Sequence, residues 1–292
     1  MNSSKIFSFF QNFVSHKWKT TNFSISSKRL LKQTAINDRY KVHTLPALQD
    51  NYMYILTDYF LKFGIAVDPV EPEKVLEILA KEELELRAVI TTHHHFDHAG
   101  GNKQISETVK NISIYGGDDR IDSLTKKVYH NEIIQIGDLL IKCLHTPCHT
   151  SGHVCYYIEG DASHEPICFT GDTLFISGCG RFFEGSAKDM LQSLNILSAL
   201  PLNTKFYCGH EYTLNNLKFA LSVEPNNEEV LQKLKIVEEK LKRQEPTVPS
   251  TIGEELKYNP FLRLDKKSVQ LYTKEENPTA VMAALRKFKD DF

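Results

Sequence analysis

The 292-residue sequence has no apolar run near the ~20 residues that a membrane-spanning helix requires, so such a helix is excluded. An excess of either charge is missing as well. The 35 Lys and Arg against 37 Asp and Glu leave a formal charge of -2, which removes any global attraction to nucleic acid or anionic lipid. A charged partner must therefore be met by a local patch. The 6 cysteines are scattered without a CxxC spacing, which argues against a disulfide scaffold and for reduced thiols. Cys148 adjoins His149, but neighbours in an extended segment point opposite ways, so a buried structural thiol is expected there. Internal repeats and low-complexity tracts are absent. Acidic residues are missing from the first 37 positions, where Lys5, Lys17, Lys19, Lys28, Arg29 and Lys32 alternate with Ser, Phe and Trp18. That composition is expected of a transit peptide directing residues 1–37 to the mitochondrial matrix, and Gln11 and Asn12 interrupt the apolar stretch that a secretory signal needs.

What is present from Tyr40 onward is an α/β pattern. Short apolar runs at Val42–Leu45, Tyr52–Thr57, Gly64–Val67 and Ala88–Thr92 predict strands. Apolar spacing predicts a helix over Lys74–Leu84, and a second is expected after Gly100 and Gly101. Further strands are expected at Leu139–Leu144, Ile167–Thr170 and Lys205–Cys208, each ending just before a His or an Asp. Beyond His210 the period changes: Val230, Leu231, Leu234, Ile236, Val237 and Leu241 recur at helical spacing, Glu245–Pro249 reads as a loop, and Pro278 opens a last helix to Phe288. A catalytic domain over 38–209 and a helical domain over 210–292 are expected.

The segment Thr92-His93-His94-His95-Phe96-Asp97-His98 places four candidate metal ligands directly after an apolar strand. In an extended loop His93 and His95 point to one side and can share an ion, while Asp97 and His98 face a second ion as the chain turns into a helix. Each half-site needs more ligands, and His149, Asp172 and His210 follow strand ends. Gly171 and Gly209 precede two of them and allow close backbone approach. The assignment is His93, His95, His149 and Asp172 for one divalent ion, and Asp97, His98, His210 and a bridging Asp172 for the other. Such donors suit zinc, and equally iron or manganese. His94 is expected to face away and His153 to support the site by a hydrogen bond. His16, His43, His130, His145 and His164 read as ordinary surface or core histidines.

The pattern His93-x-His95-x-Asp97-His98 with His149, Asp172 and His210 resembles the metallo-β-lactamase superfamily. The strings Thr92–His95, Thr146–His153, Phe169–Phe175 and Cys208–Tyr212 look like the glyoxalase II (hydroxyacylglutathione hydrolase) family, and the resemblance runs from Tyr40 to Phe292. It implies a four-layer αββα sandwich with a C-terminal helical domain. It also implies hydrolysis of S-D-lactoylglutathione to glutathione and D-lactate in methylglyoxal detoxification. Cytosolic forms of this family exist beside mitochondrial ones, so a cytoplasmic form is compatible with it.

The chemistry agrees. A hydroxide held between two ions at neutral pH can attack a thioester carbonyl, with Asp97 as the catalytic residue that orients it and a metal ion stabilising the oxyanion. A thiol leaving group with a pKa near ~8.5 needs little acid assistance. Arg286 and Lys289 lie three apart and share a helix face. By resemblance they bind the glycine carboxylate of glutathione, Tyr212 hydrogen-bonds the tripeptide, and Arg181 stands where the family often has lysine. Phe183 stands where the family commonly has tyrosine, which removes one hydroxyl contact. The expected partner is a small glutathione thioester, with no nucleic acid or membrane, and the chain is expected to act as a monomer. The alternatives are a glutathione persulfide dioxygenase of the same superfamily, which lacks the long helical C-terminus, and a non-catalytic, metal-stabilised interaction protein.

Overall fold

The computed structural model describes residues 33–36, 39–161 and 164–292. The expected leader lies outside the described residues except for Gln33–Ile36, which pair with the strand that follows. Alternation in the chain sets the layering. Tyr52, Tyr54 and Leu56 join one buried cluster while Met53 and Ile55 join another, because successive strand side chains point to opposite faces.

The first sheet runs in sequence order through β1 (Gln33–Ile36), β2 (Tyr40–Ala47), β3 (Asn51–Asp58), β4 (Phe63–Val67), β5 (Glu85–Ile90), β6 (Ser113–Gly116) and β7 (Lys126–Lys127). Its β2–β3–β4 meander is antiparallel, and β4, β5 and β6 are parallel. The second sheet contains β8 (Ile133–Ile136), β9 (Leu139–His145), β10 (Val154–Ile158), β11 (Ile167–Gly171), β14 (Lys205–Cys208) and β15 (Ser250–Thr251). Between β11 and β14 the chain forms a two-stranded ribbon, β12 (Leu174–Phe175) and β13 (Gly178–Cys179).

Val42, Leu56 and Ile65 from the first sheet share a core with Ile141, Tyr156 and Phe206 from the second. On the outer face of the first sheet, helices Pro72–Lys81 and Asn102–Thr108 contribute Val75, Leu79 and Ile105 to the other cluster. Helix Ala187–Ser198 covers the second sheet with Met190, Leu194 and Leu197. The four layers are therefore helix, sheet, sheet, helix.

The helical unit comprises Thr213–Val223, Glu228–Lys242, Ile252–Tyr258, Lys267–Thr273 and Pro278–Asp290. Pro278 opens the last helix as expected, and Asn277 caps it by accepting from Thr279 N and Ala280 N. The unit grips the β12–β13 ribbon. Asn259 Nδ2 donates to Phe175 O (3.3 Å) and Gly178 O (3.1 Å), Asn216 Nδ2 to Ile176 O (3.1 Å) and Arg286 Nη1 to Cys179 O (2.9 Å). Ser177 N donates to Glu255 Oε2 at 2.7 Å. No helix among the described residues is long and apolar enough to cross a membrane.

Most expected boundaries shift by one to three residues, and two of the shifts have a visible cause. The helix expected over Lys74–Leu84 ends at Lys81, because Glu83 takes a left-handed φ of 56° and turns the chain into β5. The strand expected to reach Thr92 stops at Ile90, because Thr92 N donates to Asp68 Oδ1 (2.7 Å). All 6 cysteines are free and buried, Cys148 included.

Candidate metal centre

The parallel strands put their carboxyl ends at one edge of the sandwich, the place where α/β sheets commonly hold ligands. The loop after β5 carries His93 and His95, and the one-turn helix Phe96–Ala99 that follows it carries Asp97 and His98; Asp172 follows β11 and His210 follows β14. His149 comes from the loop between β9 and β10. Close approach at this edge depends on glycine. A Cβ at Gly209 would lie 2.3 Å from Asp172 Oδ1, and one at Gly171, whose φ is +45°, would lie 2.5 Å from Thr92 Oγ1. A backbone link joins the two sheets here, with Tyr52 N donating to Gly209 O and Glu211 N to Asp50 O, both at 2.8 Å.

All seven candidate ligands converge. His95 Nδ1 lies 3.1 Å from both His93 Nε2 and His149 Nε2. On the other side His98 Nε2 lies 3.3 Å from His210 Nε2, and Asp97 Oδ2 is 3.3 Å from His210 Nε2. Asp172 faces both sets, with Oδ2 3.4 Å from His149 Nε2 and 3.3 Å from His210 Nε2, and Oδ1 3.5 Å from His98 Nε2. His93 also groups with His98 and Asp172, so the two sets share a wall.

The residues behind this cluster fix which ring nitrogens offer lone pairs. Thr92 Oγ1 donates to Asp68 Oδ2 (2.7 Å) and therefore accepts from His93 Nδ1 (3.0 Å). His98 Nδ1 lies 2.9 Å from Asp68 Oδ2, His210 Nδ1 2.8 Å from Asp50 Oδ1 and His149 Nδ1 3.1 Å from the Arg181 carbonyl. In each case the outer nitrogen holds the proton and the inner Nε2 is an acceptor. Acceptors about 3 Å apart that face one another are satisfied by a shared cation, and Asp172 Oδ1 is a buried oxygen with no hydrogen-bond partner. The donor set thus fits divalent metal ions. Asn51 Nδ2 holds Asp97 Oδ2 at 2.9 Å.

Electrostatics divides the same residues. Burial pushes His93, His95 and His149 below the usual imidazole range, favouring the neutral ligand form. Burial also acts against protonation of His98 and His210, but Asp172 outweighs it, raising His98 with help from Asp68 and His210 to about 11 with help from Asp97 and Asp50. Against the opposing effect of burial, His210 and His98 hold Asp97 and Asp172 below the ordinary carboxylate range. Protons on His98 and His210 and a bound cation compete for the same lone pairs.

His153 does not join the ligands. Its Nε2 accepts from Asp172 N (3.1 Å) and its ring stacks on His93, so it sets the ligand loop as expected. His94 turns outward toward Asp118 and Glu184. A cavity of about 540 Å³ opens beside the cluster, and Arg181, Phe183, Tyr212, Arg286 and Lys289 all line it. The ring of Tyr212 stacks on that of His210 (4.7 Å, 4°), and Phe183 lies edge-on to His95 at 5.9 Å. Lys289 is half-buried over the rings of Phe219 and Phe292. Arg286 is 8% exposed and already committed to Cys179 O and Asp290, so Arg181 and Lys289 are the more accessible cations. Sequence reasoning missed Asp68, Asp50, Asn51 and the cavity residues Asn215 and Asn216. Asp68 had the signal used for Asp172, a carboxylate directly after an apolar strand.

Residues 61–210 match the sequence profile of the metallo-beta-lactamase superfamily, and residues 211–292 that of the hydroxyacylglutathione hydrolase C-terminus. A cytoplasmic hydroxyacylglutathione hydrolase of Arabidopsis thaliana is 47% identical over 255 residues, covering 86% of this chain and 99% of that protein. A hydroxyacylglutathione hydrolase-like protein of Gallus gallus is 46% identical over 254 residues, covering 86% and 90%. Among solved structures, ETHE1 from Myxococcus xanthus superposes with a TM-score of 0.59 at 24% identity, over 85% of this chain and 97% of that one, a likeness of fold.

Proposed function

The chain belongs to the hydroxyacylglutathione hydrolase (glyoxalase II) family of the metallo-β-lactamase superfamily and hydrolyses glutathione thioesters; we propose that it does so at a two-ion centre. The observation that carries this is the convergence of seven donors in two sets around Asp172. His93, His95, His149 and Asp172 hold one ion, and Asp97, His98, His210 and Asp172 the other, with zinc the first expectation. Bound there, divalent ions polarise a carbonyl and lower the pKa of water toward ~7.

The chain's own residues do the rest. Asp97, held in its ionised form and pinned through Oδ2 by Asn51, orients the attacking oxygen. Arg181 and Lys289 draw the substrate carboxylates into the cavity, Arg286 holds the ribbon wall behind them, and Tyr212 hydrogen-bonds the tripeptide. Phe183 covers His95 and His149 at the rim. The C–S bond breaks with departure of a thiolate whose thiol pKa is near ~8.5, so no general acid is needed. The match over residues 211–292 favours this hydrolase over the persulfide dioxygenase, and the family's shared activity favours it over a non-catalytic scaffold.

We further propose that the chain acts in the mitochondrial matrix, with a cytoplasmic form compatible, on the strength of the acid-free first 37 residues. The deciding experiment compares hydrolysis of S-D-lactoylglutathione with that of thioesters lacking the tripeptide, with metal analysis on the same sample. Two ions per chain and preference for the glutathione thioester are expected. One ion, with oxygen consumption on glutathione persulfide, would overturn the reading.

A further inference from the structure

A carboxylate backs the cationic wall of the cavity through two of its lining arginines. Asp290 ends the last helix, and its Oδ1 lies 2.9 Å from Arg286 Nη2 and 3.4 Å from Arg181 Nε. It is partly exposed, and Arg181 more so. One oxygen thus bridges a guanidinium from the catalytic layer and one from the helical unit, the arrangement that an incoming ligand carboxylate would otherwise make. Lys289, the neighbouring residue on the same helix, has its charge disfavoured first by burial and then by Arg286 and Arg181, while Asp290 favours it.

We propose that Asp290 is a built-in competitor for the carboxylate anchor, a residue that weakens the hold on glutathione conjugates and on glutathione itself. The inference rests on the reading of Arg181 and Lys289 as the anchor. Its logic follows from the reaction. The product keeps both carboxylates of the substrate, so an anchor of full strength would bind substrate, transition state and product alike. Such uniform binding lowers KM without speeding the chemical step, and it retains product. A fixed carboxylate inside the anchor reduces that uniform component and leaves the metal centre untouched.

The test is Asp290→Asn, which keeps shape and removes charge. Deleting one negative charge beside a partly exposed anchor should lower KM for S-D-lactoylglutathione by roughly three- to tenfold at pH 7 and low salt. The inhibition constant for glutathione should fall by the same factor, with kcat unchanged or lower. For the substrate esterified at both carboxylates, KM should not change. The rise of KM at alkaline pH should also move to lower pH, because Lys289 then faces only the cations Arg286 and Arg181, the carbonyl of Asn215 and the rings of Phe219 and Phe292. Lys289→Ala, measured alongside, checks the anchor. If it raises KM while Asp290→Asn leaves KM the same or raises it, Asp290 only positions its neighbours and the inference fails. If neither variant changes KM, the anchor reading fails and takes the inference with it.

Discussion

Asp68 Oδ2 lies 2.9 Å from His98 Nδ1, and the same oxygen accepts from Thr92, whose hydroxyl in turn accepts from His93. One buried carboxylate therefore sets the tautomer of a histidine in each half of the metal centre. Asp68→Asn keeps the volume but can present an amide donor to His98 Nδ1, which puts the ring proton on the inward Nε2 and removes its lone pair from the site. Loss of such an orienting partner costs roughly 10- to 100-fold in metal affinity or activity. Metal analysis and kcat on the purified variant should show that loss together, and full occupancy with a normal rate would remove Asp68 from this role.

Asp172 faces both half-sites, so its removal should act on both. Asp172→Ala is expected to lower the metal content of both sites and to reduce turnover by at least the ~100-fold that loss of an orienting neighbour can cost. Retention of one fully occupied site would show that Asp172 serves a single ion.

Lys289 should give the substrate affinity an alkaline limit. Burial, then Arg286 and Arg181, lower its pKa to about 8. Its ammonium is therefore charged below that pH and lost above it, so KM for the anionic thioester should be flat up to about pH 8 and rise beyond. Lys289→Arg keeps the charge at all these pH values and should abolish the rise. A wild-type KM that stays flat to pH 10 would exclude Lys289 from the anchor.

Phe183 is 60% exposed at the cavity rim, where its ring meets those of His95 and His149. Phe183→Tyr should restore one neutral hydrogen bond, about 0.5–1.5 kcal/mol. KM should then fall roughly two- to tenfold with kcat nearly unchanged. An equal or higher KM would mean that the ring serves only as a cover.

Much of the candidate site was legible because its donors obey local rules. His93, His95, Asp97 and His98 are fixed by strand-to-loop spacing, and Asp172 and His210 by strand ends preceded by glycine. Their orienting partners were not legible, since Asp68 and His98 are thirty positions apart and Asp50 meets His210 only through the junction of the two sheets. Strand runs carried the α/β pattern and helical spacing the C-terminal unit, whereas the four-layer sandwich was implied only by the resemblance. Strand Val154–Ile158 escaped although its apolar run is as long as those expected, because it follows the His149–His153 motif with no turn residue between them to mark where a strand begins. The burial of Arg286 was hidden for a different reason. A helix face predicts which residues are neighbours, not which of them a ribbon carbonyl will claim.

That ribbon bears on how the chain comes apart. Its carbonyls are paired with Asn216, Asn259 and Arg286, all from beyond the point where the two sequence profiles meet. Ending the chain at His210 would leave these carbonyls to water and would uncover Leu174, Phe175 and Ile176, which share a buried core with Phe219, Phe261 and Leu285, at roughly 1.5–3 kcal/mol for each large apolar side chain fully exposed. The junction near residue 210 therefore divides two sequence patterns, and the layers that carry the candidate metal centre are expected to unfold together with the helices as one cooperative body.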